Sequence, residues 1–293
     1  MAKLLLSLLL ALALAGCSGA VAADPHKLQV VANENFWGSL AAQLGGNRVQ
    51  VTSIVHNPAT DPHDYEPTAS DARWMAVAKM AILNGAGYDT WAGKLLDANP
   101  VDGRIELNVG KLAGVGAGGN PHLWYSPVHV QQAIGAITAG YKRLDPKHAA
   151  YYDAQRTRLE TQGLARYRAL IASIRGRFAG TPVGASESIF APLAQGLGLK
   201  LVTPSGLMNE VSEGSEPTAA DRTTTDRQIR TRRIRLWVYN SQNSTPDVQR
   251  LTDEARAAGI PVATVTETLV PPSATFQQWR VRQLAAIEEA LAR

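Results

Sequence analysis

Asp61-Pro62-His63-Asp64-Tyr65-Glu66-Pro67-Thr68 places one imidazole among three carboxylates and two prolines. Each proline fixes its own φ and biases its predecessor toward extended backbone, so His63 is presented on a stiff segment before any ligand arrives. Such stiffness suits a metal ligand and, taken alone, equally suits a tight turn. A second stretch of the same kind, Asn120-Pro121-His122-Leu123-Trp124-Tyr125-Ser126-Pro127, lies about sixty residues further on. Two Pro-His elements suggest two fingers closing on one ion.

The elements around these stretches follow from hydrophobic period and breakers. Leu28 to Ala32 is a short apolar run, and Asn35 is placed to cap a helix ending at Gly45-Gly46. Val49 to Val55 reads as a strand, so the His63 loop stands at a strand's C-terminal end, where open α/β sheets put their ligand sites. Ser70 is expected to cap the next helix, followed by strands at Met80 to Asn84 and Ile105 to Val109. Ser126-Pro127 starts another helix, with Ser as N-cap and Pro in the first turn. From Pro146 to Phe178 no further proline occurs, and Tyr152, Leu159, Tyr167, Leu170, Ile174 and Phe178 recur at helical spacing. A rod of about thirty residues is about 45 Å long at the α-helical rise, enough to bridge two lobes.

The alternation then repeats, with strands at Thr181 to Ala185, Leu199 to Thr203, Ile234 to Tyr239 and Val262 to Val265 and a closing helix from Ser273 to Ala292. The fold class is therefore α/β, two lobes with mostly parallel sheets. Residues 24–145 form the first lobe, 146–179 one long linking helix and 180–293 the second lobe. Glu187 and Glu267 follow strands of the second lobe as His63 and His122 follow strands of the first. Alone, Glu187 is a first-turn acid favoured by a helix dipole, and Glu267 a solvated strand-end charge. Together, two imidazoles and two carboxylates facing across a cleft neutralise and coordinate one divalent cation, with a donor mixture that suits Zn(II) or Mn(II). His26, His56, His129 and His148 are read as surface or loop residues.

Composition bounds the alternatives. The chain has 293 residues, net charge +4, 45% hydrophobic and 18% charged residues, an ordinary globular balance. Arg222, Arg227, Arg230, Arg232, Arg233 and Arg235 make one basic run, but without interleaved aromatics or a recognition motif it reads as a solvated helix face, and no nucleic-acid partner is expected. Residues 1–23 read as a signal peptide with a short tether: Lys3 precedes an apolar stretch from Leu4 to Ala15, and Leu14-Ala15-Gly16-Cys17 is a lipobox. Cys17 is the only cysteine, so it is assigned to lipidation and no internal disulfide exists. Ala20-Val21-Ala22 offers an ordinary cleavage site instead, and either way the chain is exported, to the periplasm or the cell surface.

With these stretches in view, the sequence resembles the solute-binding proteins of zinc and manganese ABC transporters. The likeness rests on the two Pro-His motifs, on Glu187 with Phe190 and Gly196-Leu197-Gly198-Leu199, and on Ser215-Glu216-Pro217-Thr218, in the family's order. It implies two lobes on one rigid helix with the metal in the cleft between them, and ligand roles for His63, His122 and Glu187. The family's fourth ligand is usually Asp, where Val265-Thr266-Glu267-Thr268 offers Glu. It further implies a monomeric, non-enzymatic receptor for Zn2+ or Mn2+ that hands its ion to a membrane permease, the lobes moving little. Two other classes stay open: a surface adhesin, and an exported metallohydrolase with Glu66 as base, which would lack a His-Glu-x-x-His helix and a Gly-x-Ser-x-Gly elbow.

Overall fold

The computed structural model describes residues 23–60, 62 and 65–293; Cys17, Asp61, His63 and Asp64 lie outside the described residues. Strand β1 (Leu28–Glu34) pairs in parallel with β2 (Val49–Val55), in register from Leu28↔Val49 to Glu34↔Val55. On its other side it meets β3 (Met80–Leu83), which pairs with β4 (Ile105–Asn108), giving the order β2-β1-β3-β4. Successive side chains of β1 go to opposite faces: Val30 and Ala32 enter the larger apolar core, and Val31 a smaller one with Met75, Trp91 and Leu95. A strand covered on both faces needs a continuous apolar run, which Leu28 to Ala32 nearly supplies.

Helices α1 (Asn35–Gly45), α2 (Ala69–Val77), α3 (Trp91–Asp97), α4 (Val109–Ala113) and α5 (Pro127–Leu144) cover this sheet. The expected caps at Asn35 and Ser70 are not the ones used. Asn35 is already helical, and its amide accepts from Leu269 N and donates to His56 O, tying distant segments together. Thr68 caps α2 instead, in a capping box with Asp71. That box satisfies two otherwise orphaned N–H groups, where Ser70 would satisfy neither.

The Pro146 to Phe178 segment is helical along its length but not one uniform α-helix. A 3-10 turn at Pro146–His148 leads into α6 (Ala149–Arg158), a π turn at Leu159–Gly163 and then α7 (Ala165–Phe178). Leu164 N donates to Leu159 O at 2.8 Å, one residue beyond the α-helical partner. A Cβ on Gly163 would stand 3.0 Å from Leu159 Cδ1, so glycine makes room for the extra residue in the turn.

The second sheet repeats the first, with β5 (Pro182–Ala185), β6 (Lys200–Leu201), β7 (Trp237–Asn240) and β8 (Val262–Val265) all parallel in the order β6-β5-β7-β8. It is covered by α8 (Ala191–Leu197), α9 (Ser205–Ser212), α10 (Ala219–Arg230), α11 (Pro246–Ala257) and α12 (Phe276–Ala292). Helix α9 occupies what the sequence suggests is a polar loop; Leu207, Met208 and Val211 are its buried face. The largest apolar core runs through both halves, joining Leu40 and Trp124 with Leu193 and Trp279. Helices α1 and α12 also meet directly: Gln43 and Gln277 exchange amide hydrogen bonds, and Phe276 N donates to Ser39 Oγ at 2.8 Å. Among the described residues no helix is long and apolar enough to cross a membrane.

Candidate metal centre

His122 is placed by its neighbours before any ligand is considered. Asn84, just past the end of β3, donates to Pro121 O at 2.9 Å, which holds the Pro-His segment over the strand ends. Asn120 Oδ1 accepts from His122 N at 3.0 Å and from the ring's Nδ1 at 2.8 Å. With Nδ1 carrying the proton, Nε2 presents its lone pair to the cleft, the tautomer a metal requires. Trp124 and Tyr88 meet the imidazole edge-on, with centroids at 5.2 Å and 6.1 Å.

The carboxylates come from the other half. Glu187 follows β5 in extended backbone (φ −155°, ψ 177°) and precedes a 3-10 turn, so it is not the first-turn helical acid considered for it alone. Glu267 follows β8. Asn240, last residue of β7, donates to Glu187 Oε1 at 2.7 Å and to Glu267 Oε1 at 3.1 Å. Asn243 donates to Glu187 Oε2 at 2.7 Å, and Tyr88 OH to Glu267 Oε2 at 2.7 Å. His122, Glu187 and Glu267 are 1%, 1% and 7% exposed, so all three sit away from water.

One ligand atom from each of the three lies within 4.8 Å of the others, and His122 Nε2 stands 4.0 Å from Glu267 Oε2. That spacing is too long for a hydrogen bond, and an ion between them would close it: two ligands at ~2.1 Å from a tetrahedral centre are ~3.4 Å apart. Two carboxylates and one imidazole, buried together, make a cluster whose excess negative charge a divalent cation offsets. His63 lies outside the described residues; next to it Pro62 O accepts from Trp91 Nε1 at 3.3 Å, and Tyr65 OH donates to Asp71 Oδ2 at 2.7 Å. His56 and His148 are engaged elsewhere, with Ile54 O at 2.9 Å and Asp145 Oδ1 at 2.7 Å.

Sequence inspection names three of the converging residues and misses the amides and the phenol that orient them. The available signal for Asn240 is a polar residue closing the apolar run Trp237-Val238-Tyr239, at a strand end. Because one Asn240 amide holds both carboxylates, Asn240→Ala is expected to lower metal affinity about 10- to 100-fold, the usual cost of losing an outer-shell partner. Competitive titration against a chelator of known affinity checks this.

Two parallel α/β sheets whose strand-end loops meet at a buried His-Glu-Glu cluster define a two-lobed α/β protein with a candidate metal site. The chain belongs to the family ZnuA, zinc-uptake complex component A periplasmic, whose model matches residues 30–290. The manganese-binding lipoprotein MntA of Halalkalibacterium halodurans is 27% identical over 153 residues, 50% of this chain and 51% of that protein. The zinc-binding lipoprotein AdcA of Streptococcus pneumoniae is 26% identical over 276 residues, 83% of this chain and 50% of that one. The chain thus spans about half the length of the curated relatives it matches. In fold it is similar to the Mn-bound periplasmic metal binding protein from candidatus liberibacter asiaticus, with TM-score 0.75, 20% identity, and 89% and 98% of the two chains covered. The periplasmic zinc binding protein TroA from Treponema pallidum gives TM-score 0.72 at 18% identity, covering 91% and 100%.

Proposed function

We propose that this chain is the binding protein of an ABC importer, capturing one Zn2+ or Mn2+ outside the cytoplasm and delivering it to the membrane permease. The observation that carries this reading is the convergence of His122, Glu187 and Glu267, each buried, from both halves of the molecule. His63 is the fourth ligand in this reading. Four protein ligands close the shell, which suits tight carriage and leaves no position for a catalytic water, so the role is that of a receptor and not an enzyme. Glu187 in place of a third imidazole favours Mn(II) by ligand hardness, whereas the Irving–Williams order favours Zn(II) on affinity. In the proposed organisation, residues 24–145 and 180–293 are the two lobes, 146–179 the link, and Cys17 carries the lipid that holds a monomer at the membrane.

Metal analysis of the purified chain, followed by competitive titration of the apoprotein with Zn(II) and Mn(II), tests this reading. One ion bound tightly per chain, with affinity lost in Glu187→Ala and in Glu267→Ala, is the expected outcome. Binding that ignores both glutamates would place the site elsewhere. Capture also requires deprotonated imidazole and carboxylates, so affinity declines as pH falls.

A further inference from the structure

The basic run that the metal site leaves unused lies at the opposite end of the second sheet from Glu187, Asn240 and Glu267. Pro182 and Lys200 begin β5 and β6, Pro261 immediately precedes β8 and Arg235 lies two residues before β7, and two hollows open there. One, of about 610 Å³, is lined by Lys200, Arg227 and Arg233; the other, of about 510 Å³, by Arg232, Arg235, Arg256 and Arg293. No Asp or Glu lines either hollow. Arg256 and Arg293 are paired with Asp253 and Glu289. For Arg227, Arg232, Arg233 and Arg235 the described residues give no ion pair, and all four are exposed.

The backbone gives a second, independent reason to regard this strip as selected for its side chains. Arg232 has φ +51°, the left-handed position that closes α10, where its N–H donates to Ile229 O and that of Arg233 to Gln228 O. Glycine takes that position without strain, and arginine does not.

We infer that this face binds a flexible phosphate-bearing polyanion, whose successive phosphates engage the two hollows on either side of Arg232 and Arg233. Guanidinium groups bind phosphate oxygens two at a time, and seven cations, two of them paired with an acid, supply the attraction. Strand direction decides against the membrane that would hold the N-terminus. The chain enters β1 at the strand-start end of the first sheet, the strand-end loops of both sheets meet at the metal site, and so the entry point and the basic face are at opposite poles.

The test uses the purified full chain with long-chain inorganic polyphosphate, inorganic phosphate, and vesicles containing phosphatidylglycerol. Polyphosphate is expected to bind with an affinity that falls steeply with salt, by about 10³-fold between ~50 and ~200 mM if six or more contacts form, as on other polyanions. The triple change Arg232→Glu, Arg233→Glu and Arg235→Glu should abolish that binding, and the corresponding lysine triple should retain most of it. Cleft metal affinity, unchanged in both triples, reports that the fold is intact. Equal binding by the glutamate triple, competition by inorganic phosphate at matched phosphate concentration, or binding to vesicles in preference to polyphosphate would each overturn the inference.

Discussion

Replacing His122 with alanine is expected to weaken Zn(II) binding by about 10²- to 10³-fold, on the view that four ligands share a total of roughly 10–16 kcal/mol. The imidazole is held by Asn120 on one side and by the edges of Tyr88 and Trp124, so its position is fixed before the ion arrives. Little ordering cost remains to be met at binding, and most of what alanine removes is the metal–nitrogen bond itself. The loss should appear in the dissociation constant with a one-to-one stoichiometry retained, and the melting temperature of the apoprotein separates it from a folding defect. A His122→Ala protein that is folded and binds zinc as tightly as the parent would remove this residue from the site.

Glu34→Gln is expected to stabilise the apoprotein at neutral pH, and not to do so near pH 4. Glu34 is fully buried and its carboxyl group faces that of Asp89. Asp89 is already held by Asn33 Nδ2 at 2.5 Å and by the N–H groups of Asn84 and Gly85 at 2.8 Å and 2.7 Å. Two facing acceptors are compatible only if one keeps a proton. Burial, reinforced by the charge of Asp89, pushes the Glu34 carboxyl well above its ordinary range. Below the unfolded value both states hold the proton and no penalty exists. As pH rises past it the unfolded chain ionises first, so stability declines until the folded group also ionises. Glutamine keeps a donor toward Asp89 and removes the titration. Each kcal/mol so released raises the melting temperature by about 2–4 °C in a chain of this size. A gain equal at pH 4 and pH 7.5, or a loss at both, would show that ionisation of Glu34 does not limit stability.

The parts of the fold legible in the sequence are those governed by local rules. Val49–Val55 and Val262–Val265 were bounded correctly by alternation and breakers, and the Ser126-Pro127 start of α5 by cap chemistry. The cap of α2 was misplaced because Ser70 and Thr68 are both competent, and only the reciprocal bond from Asp71 distinguishes them. The π turn could not be read at all: it depends on where Leu159 packs against a glycine, which is a tertiary matter. At the candidate site His122, Glu187 and Glu267 stand out by residue type. Asn240, Asn243 and Tyr88 do not, since neutral polar residues are common everywhere and acquire meaning only from what they face. Glu34 was passed over for a related reason. It ends an apolar strand, where a carboxylate is ordinarily solvated, and its burial against Asp89 follows from how the loop after β3 closes over the strand ends.

The core that runs unbroken from Leu40 through Trp124 to Trp279, with the α1–α12 contact beside it, makes the two halves mechanically one body. A wide opening between them would expose aromatic surface, at a cost that under the proposed function the binding of one ion would have to meet. Under the proposed function, a docking partner would therefore read a filled or empty site from the shape of a few loops over the strand ends, as surface relief and not as the angle between halves.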